Sequence, residues 1–491
     1  MSTADEMLAR LAELRRADAP THGGRVLSYV YDSGRPELDE LAAAAARLVQ
    51  PVNGLDPTTF TSVAVMESEL VGFARRVFHG GDEVVGSATS GGTESCLLAV
   101  KTARDVWRAA GGTGTPRLIA PTTVHAAFRK AAHYFDVRLD LVPVDPASGA
   151  PEASAFAERL GPDVALIVAS APSYPFAALD PIAALSELAA EHGVALHVDA
   201  CIGGFALAFW PEALPEWDFR LPGVTSLSAD LHKYGYAPKG VSVLLTRGRD
   251  RQRAQYFATT EWPGYPVVNP TMTGSKPAGP LAAAWAIAGV LGEAGFAELA
   301  AQSARATAAV RACIDAVPGL RVVGRPTGPL LAVAADTGAP VAERVDPHRW
   351  ADAVREEGFV LQLQPGLEQR DGTRLPHTAH LTITPVTEAA LPELLPALVR
   401  AADRVRGVPA VDPREILAGL LEAPGAANAL RGEIDSDTAY GVLRAAGLAG
   451  GDGALPAELA PVLALVAALP PAVTERLLVE LLARAVEPRG A

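Results

Sequence analysis

The chain has 491 residues, 49% of them hydrophobic and 20% charged, with a mean hydropathy of +0.18. That is ample apolar material for a large core and excludes disorder as a description of the whole. Lysines and arginines total 42 against 56 acids, for a formal net charge of −14; without a long basic run, neither nucleic acid nor an anionic membrane surface is an expected partner.

The first twenty residues mix acids, arginines and leucines and do not read as a secretory signal. Three cysteines, Cys96, Cys201 and Cys313, stand far apart without CxxC spacing, so neither a disulfide framework nor a metal site is expected and a cytoplasmic location is. No fixed-period repeat is present. Short aliphatic runs at 117–120, 137–142, 164–169 and 194–198 alternate with helical patterns at 126–134, 153–160 and 182–191. Such alternation builds βαβ crossovers and a buried parallel sheet, to which 224–228 and 241–246 add strands. The fold class is therefore α/β: an N-terminal arm (1–55), a large, mostly parallel sheet domain (56–285), and a smaller α+β C-terminal domain (286–405). The smaller domain reads as a long Ala-rich helix from 280 to about 316, strands at 320–323, 330–334 and 381–384, and helices at 348–357 and 388–405. Residues 406–491 form a helical C-terminal extension, in which Val473, Leu477, Leu481 and Ala485 recur at i+4 and predict a helix docked on the body. The most apolar run, 460–473, is broken by Pro470 and Pro471 and is shorter than the roughly 20 residues needed to cross a bilayer, so no stable membrane anchor is expected.

The chemistry concentrates in SLSADLHKYGYAPKG, residues 226–240. Lys233 follows an aliphatic strand and is flanked by His232, Tyr234 and Gly235. Upstream, the apolar strand LHVDA ends in Asp199, a carboxylate expensive to bury unless it faces a cation. Before the helical stretch 96–110 lies TSGGTES, small residues whose backbone N–H groups gather at a helix start and suit a phosphate. A lysine for a Schiff base, an acid for a pyridine nitrogen and a phosphate cup together point to one cofactor, pyridoxal 5′-phosphate. His125 opens a further helix where an imidazole is placed to stack on that ring.

The segments SGGTES, VHAAFRKAAHYF, LHVDACIGGF, GVTSLSADLHKYGYAPKG and TGSKPAG resemble those of the sphingosine-1-phosphate lyases, within the group II decarboxylase branch of fold-type I pyridoxal-phosphate enzymes, over residues 24–405. The resemblance implies Lys233 as Schiff-base lysine, Asp199 as partner of the pyridine nitrogen, His125 as the stacking residue, and Gly92, Thr93 and His232 as cofactor contacts. It implies that Gly274 and Ser275 reach the phosphate from a neighbouring subunit, hence a homodimer with active sites at the subunit interface. Tyr31, Tyr174 and Lys239 occupy the family's substrate-positioning places, Lys239 as a receptor for a substrate phosphate. In the segment from Asn53 to Thr58, Asp56 stands where the family has a phosphate-facing histidine; Lys276 replaces an arginine and Ala278 a glycine. The expected reaction is retro-aldol cleavage of a long-chain 2-amino alcohol, a small-molecule amine, phosphorylated or not. An amino-acid decarboxylase or β-hydroxy-amino-acid aldolase is the alternative. It would need a cation for the carboxylate; the strand 380–384, with His380, offers none, and Arg370 and Arg374 lie just upstream. A third reading, a non-catalytic scaffold of the same fold, is opposed by intact Lys233, Asp199 and His125.

Overall fold

The computed structural model describes residues 3–414, 435–445 and 458–488. Three helices open the chain: α1 (Ala4–Arg15), α2 (Pro36–Leu48) and α3 (Thr61–Val77). A capping box of Thr3 and Glu6 starts α1, which buries no residue. The body then alternates β1 (Val84–Thr89), α4 (Gly92–Ala109), β2 (Arg117–Pro121), α5 (Ala126–Phe135), β3 (Arg138–Val142), α6 (Ala153–Ala157), β4 (Val164–Ser170), α7 (Ile182–His192), β5 (Ala195–Asp199), α8 (Gly204–Leu207), β6 (Val224–Ala229) and β7 (Ser242–Arg247).

These strands form one seven-stranded sheet in the order β1-β7-β6-β5-β4-β2-β3. From β6 to β3 every neighbour pair is parallel, while β7 runs antiparallel to β1 and to β6. Every residue of β4 and β5 is buried, as a sheet covered on both faces requires. The sequence reading missed β1. Its VVGSAT pattern is an edge strand with two half-buried positions, and Gly86 in its middle weakens the β-branched signal. The register sets Ser170 beside Asp199 and Asp199 beside Ser228, so the C-terminal ends of β4, β5 and β6 lie level.

Beyond the sheet come α9 (Arg249–Arg253), the hairpin of β8 (Phe257–Thr259) and β9 (Val267–Asn269), and α10 (Gly279–Asp315), interrupted at Gly292, whose φ of 52° and ψ of −173° are not helical. Long and apolar though α10 is, Ala283, Ala284, Ile287, Phe296 and Leu299 sit in the main core, where Phe296 packs against Phe73, Phe205 and Phe209.

The remaining elements are β10 (Leu320–Val322), β11 (Leu330–Ala335), α11 (Pro347–Glu356), β12 (Gln362–Gln364), β13 (Leu367–Glu368), β14 (Arg374–Leu375), β15 (Thr378–Thr382), α12 (Thr387–Val405), α13 (Ser436–Ala445), α14 (Ala460–Ala468) and α15 (Pro471–Ala485). A second sheet has the order β10-β11-β15-β12. The strand expected at 381–384 is β15, three residues earlier, because Thr378, Ala379 and His380 pair with β12. By compactness the chain forms two units: Met1–Arg311 with Val323–Leu331 and Thr382–Glu393, and Ala312–Val322 with Ala332–Leu381 and Leu394–Ala491. Within the second, Asp352 of α11 accepts hydrogen bonds from Leu459 N and Ala460 N at the start of α14, tying the C-terminal extension to this unit. Helix α15 packs on α13 and buries Val473 and Leu477, each burial stabilising by about 1.5–3 kcal/mol. Ala485 is exposed, so the apolar face ends before the i+4 pattern does. There Arg484 takes over, paired with Glu480 and Asp437 and lying over the Tyr440 ring.

Candidate active site

In a parallel sheet, ligands gather at the C-terminal strand ends, and two neighbouring strands end here in carboxylates. Asp199 is the last residue of β5, and Asp230 follows β6 directly. Asp199 is 7% exposed and its Oδ1 accepts from Cys201 N at 3.1 Å; among the described residues it forms no ion pair. A buried carboxylate of this kind fits a cationic ring nitrogen. His197, on the same face two residues earlier, bonds Ser226 Oγ and Ser228 Oγ at 2.8 and 3.1 Å. Burial pushes its imidazole down to about 4, against the pull of Asp199, and keeps it neutral.

Lys233 Nζ lies 3.0 Å from Asp230 Oδ2, and His232 Nε2 reaches the same oxygen at 3.3 Å. His232 Nδ1 accepts from Val241 N at 3.2 Å, so the ring proton sits on Nε2 and donates to Asp230. Burial opposes both charges of the Lys233–Asp230 pair, yet each sustains the other: the Asp230 carboxyl is pushed well below its ordinary value and the Lys233 ammonium well above. The sequence reading did not single out Asp230. The signal was available, since an acid at the end of an apolar strand was the argument made for Asp199.

The candidate phosphate cup lies where β1 turns into α4. No side chain caps this helix, so its first N–H groups and the positive end of its dipole remain for an anion. Gly91 has φ 154°, and a Cβ there would come within 3.0 Å of His232 Cε1. At Gly92 a Cβ would stand 2.6 and 2.8 Å from the Asp230 oxygens and 2.8 Å from Cys201 Sγ. Only glycine lets the cup close onto the lysine's carboxylate. Thr93 is exposed on the first turn. Glu94, unremarked in the sequence, is buried and accepts from Ser90 N and Met272 N, both at 2.6 Å, holding the turn in place. The uncapped helix start, the unpaired Asp199 and the half-buried Lys233 together fit pyridoxal phosphate.

Around Lys233 the structure gathers the other expected residues. Tyr31 meets Tyr234 edge-on at 5.3 Å, and Tyr234 Oη donates to Ile383 O at 2.8 Å. Lys239 Nζ lies 4.4 Å from the Tyr31 ring centroid and donates to His232 O at 2.8 Å. Burial, reinforced by the charge of Lys233, pushes Lys239 down to about 8. Burial pushes Tyr31 up to about 12 and raises Tyr174, which hydrogen-bonds Thr382, further still. Both phenols therefore carry their protons at neutral pH. His125 is the N-cap of α5, its Nδ1 accepting from Ala127 N at 3.2 Å. The protein around it lowers its pKa, against the pull of Asp199, leaving a neutral ring whose proton is on Nε2.

Asn53, Asp56, Gly274 and Ser275 form a separate cluster. Asn53 Nδ2 donates to Ser275 Oγ at 3.2 Å, and Gly54 N to Lys276 O at 2.8 Å. Asp56, Gly274 and Ser275 line a cavity of about 1050 Å³ to which Lys233, Asp199 and His125 do not contribute. Asp56 is turned into its own loop, accepting from the backbone N–H and hydroxyl groups of Thr58 and Thr59, which hold its carboxyl down to about 2. Arg370 and Arg374 lie in the second compact unit.

Residues 60–260 match the pyridoxal-dependent decarboxylase conserved domain, and residues 389–484 match the C-terminal putative HTH domain of pyridoxal-dependent enzymes. With the sheet topology and the lysine site, this defines a pyridoxal-phosphate-dependent enzyme of fold-type I. The chain is 36% identical to a sphingosine-1-phosphate lyase of Dictyostelium discoideum over 65% of its length and 60% of that protein's. With a rice sphingosine-1-phosphate lyase it shares 34% identity over 79% of its length and 70% of the other's. A solved Burkholderia pseudomallei sphingosine-1-phosphate lyase superposes with a TM-score of 0.76 at 33% identity, covering 83% of this chain and 92% of that one. The chain belongs to the sphingosine-1-phosphate lyase family.

Proposed function

We propose that the chain cleaves a phosphorylated long-chain 2-amino alcohol of the sphingosine 1-phosphate type into a long-chain aldehyde and a phosphorylated ethanolamine. The observation that carries this reading is Lys233, held by a buried carboxylate and ringed by two protonated phenols and a second lysine. The sphingosine-1-phosphate lyases among its relatives support the substrate class.

Pyridoxal phosphate held by Lys233, Asp199 and the α4 N-terminus supplies the electron sink for the carbon left negative when the carbon–carbon bond breaks. The chain's residues handle the protons. The hydroxyl proton must go to a base within hydrogen-bond reach; with Tyr31 and Tyr174 protonated and His125 a donor at Nε2, the strongest acceptor is the Lys233 amine once substrate has displaced it. The carbon bearing the hydroxyl then leaves as the aldehyde, and the neighbouring carbon takes back the proton that Lys233 accepted. Tyr31 and Tyr174 donate to the departing oxygen, and Lys239 faces the phosphate.

We further infer a homodimer in which Gly274 and Ser275 complete the partner's phosphate cup, and a cytoplasmic location, in keeping with three free cysteines. Incubation with sphingosine 1-phosphate should release long-chain aldehyde, and Lys233→Ala should release none. Carbon dioxide from amino acids with no aldehyde from the sphingoid phosphate would overturn the lyase reading in favour of a decarboxylase. Sedimentation at assay concentration should give twice the chain mass.

A further inference from the structure

Beneath the Asp199 carboxylate lies a group that the lyase chemistry does not use. Cys96, on the second turn of α4, and Cys201, two residues past the end of β5, bring their sulfurs together with a carboxylate oxygen of Asp199, all within 4.8 Å of one another. The three residues are 1%, 7% and 7% exposed. Rigid elements fix all of them, and the Cys201 N to Asp199 Oδ1 bond at 3.1 Å locks carboxylate to thiol. Ser228 Oγ, 3.1 Å from Cys201 Sγ, stands beside the group. Two sulfurs and one oxygen at this spacing make a donor set suited to zinc or cadmium; calcium and magnesium prefer oxygen throughout.

We propose that the cofactor-free chain binds one thiophilic divalent cation through Cys96 Sγ, Cys201 Sγ and the Asp199 carboxylate, and that this cation and pyridoxal phosphate exclude each other. Binding replaces two thiol protons by the metal and changes no oxidation state. Exclusion follows because Asp199 cannot serve the cation and the ring nitrogen together; this second half rests on the cofactor assignment. Metal at this position would hold newly made chain, or chain that has lost its cofactor, in an inactive form that a chelator releases.

The test is titration of the full-length, cofactor-stripped chain with cadmium, followed by ultraviolet thiolate-to-metal charge-transfer absorbance. Wild type should saturate at one equivalent. Cys96→Ser and Cys201→Ser, near-isosteric changes that spare the fold, should each lose at least half of that absorbance, and Cys313→Ser should lose none. Preloading with pyridoxal phosphate should abolish the signal, and cadmium added first should block the visible absorbance of cofactor uptake until chelator is added. No charge transfer in wild type, or an undiminished signal in Cys96→Ser and Cys201→Ser, would overturn the site. Full cadmium binding by the cofactor-loaded enzyme would overturn the exclusion. Failure of metal-free wild type to take up cofactor would instead sink the cofactor assignment, leaving the cadmium result to stand alone.

Discussion

Asp230→Asn isolates what the buried carboxylate does for Lys233. Coulomb's law at an effective dielectric of about 20 places opposite charges 3.0 Å apart roughly 5 kcal/mol below separation, which at 1.36 kcal/mol per pKa unit is about four units. Without the carboxylate, burial acts on Lys233 against only the weaker pulls of Tyr31, Cys201 and Asp199, and its pKa falls. If only half the Coulomb value is realised, the free-amine fraction at pH 7 rises about a hundredfold. Since only the free amine attacks an aldehyde, the cofactor-stripped variant should gain visible absorbance with pyridoxal phosphate about a hundred times faster than wild type at pH 7. The advantage should shrink as pH rises. Stability moves the other way. The depressed Asp230 pKa stabilises the fold above about pH 4 and is lost in acid; the raised Lys233 pKa stabilises it below about pH 10 and is lost in alkali. The variant's melting deficit should therefore be largest between those limits. Identical capture rates and pH profiles in the two proteins would refute the claim that Asp230 stores the ammonium.

Three further outcomes follow from the site. Gly92→Ala should fold yet retain no cofactor on gel filtration, because its Cβ would stand 2.6 Å from an Asp230 oxygen; a yellow, active variant would contradict the cup. Tyr174→Phe should lower kcat by about 10²–10³-fold, the usual worth of one hydrogen-bond donor to a developing oxyanion, with the melting temperature and cofactor spectrum little changed, as steady-state kinetics and a melt would check. If the Lys239 ammonium faces the substrate phosphate, KM should rise as pH passes about 8, where the charge is lost; Lys239→Arg, whose guanidinium stays charged, should hold KM flat through that range.

Much of this was legible because parallel strands buried on both faces read as unbroken aliphatic runs, as in β4 and β5. The edge strand β1 was not, since two of its six residues are only half-buried and Gly86 interrupts it. The start of α4 at Gly92 lay earlier than the apolar pattern indicated, because the first turn of a phosphate-binding helix is selected for backbone access and carries no apolar side chains. Lys233, Asp199 and His125 were singled out as candidates through the chemistry they share. Asp230 was passed over because a single acid three residues from a lysine is ordinary turn composition until the fold buries it. The convergence of Cys96 and Cys201, 105 positions apart in sequence, is a product of α4 packing against the sheet, which spacing alone does not encode.

The two carboxylates at adjacent strand ends are not equivalent, and that separates their variants. Two like charges in one buried site would push one of them to take up a proton, but here Lys233 and His232 attend to Asp230 alone. Under the proposed function Asp199 is thereby left for the cofactor's ring nitrogen, whose protonation lets the ring accept electrons. Asp199→Asn should accordingly capture pyridoxal phosphate at close to the wild-type rate, since the Lys233–Asp230 pair is untouched, and yet release almost no aldehyde. Asp230→Asn should capture faster and then turn over slowly, because the displaced Lys233 amine has lost the partner that makes it a strong proton acceptor. Rapid-mixing absorbance for capture, with aldehyde release for turnover, distinguishes the two. If both variants lost capture and turnover in equal proportion, the carboxylates would share one role and the division drawn from the geometry would fail.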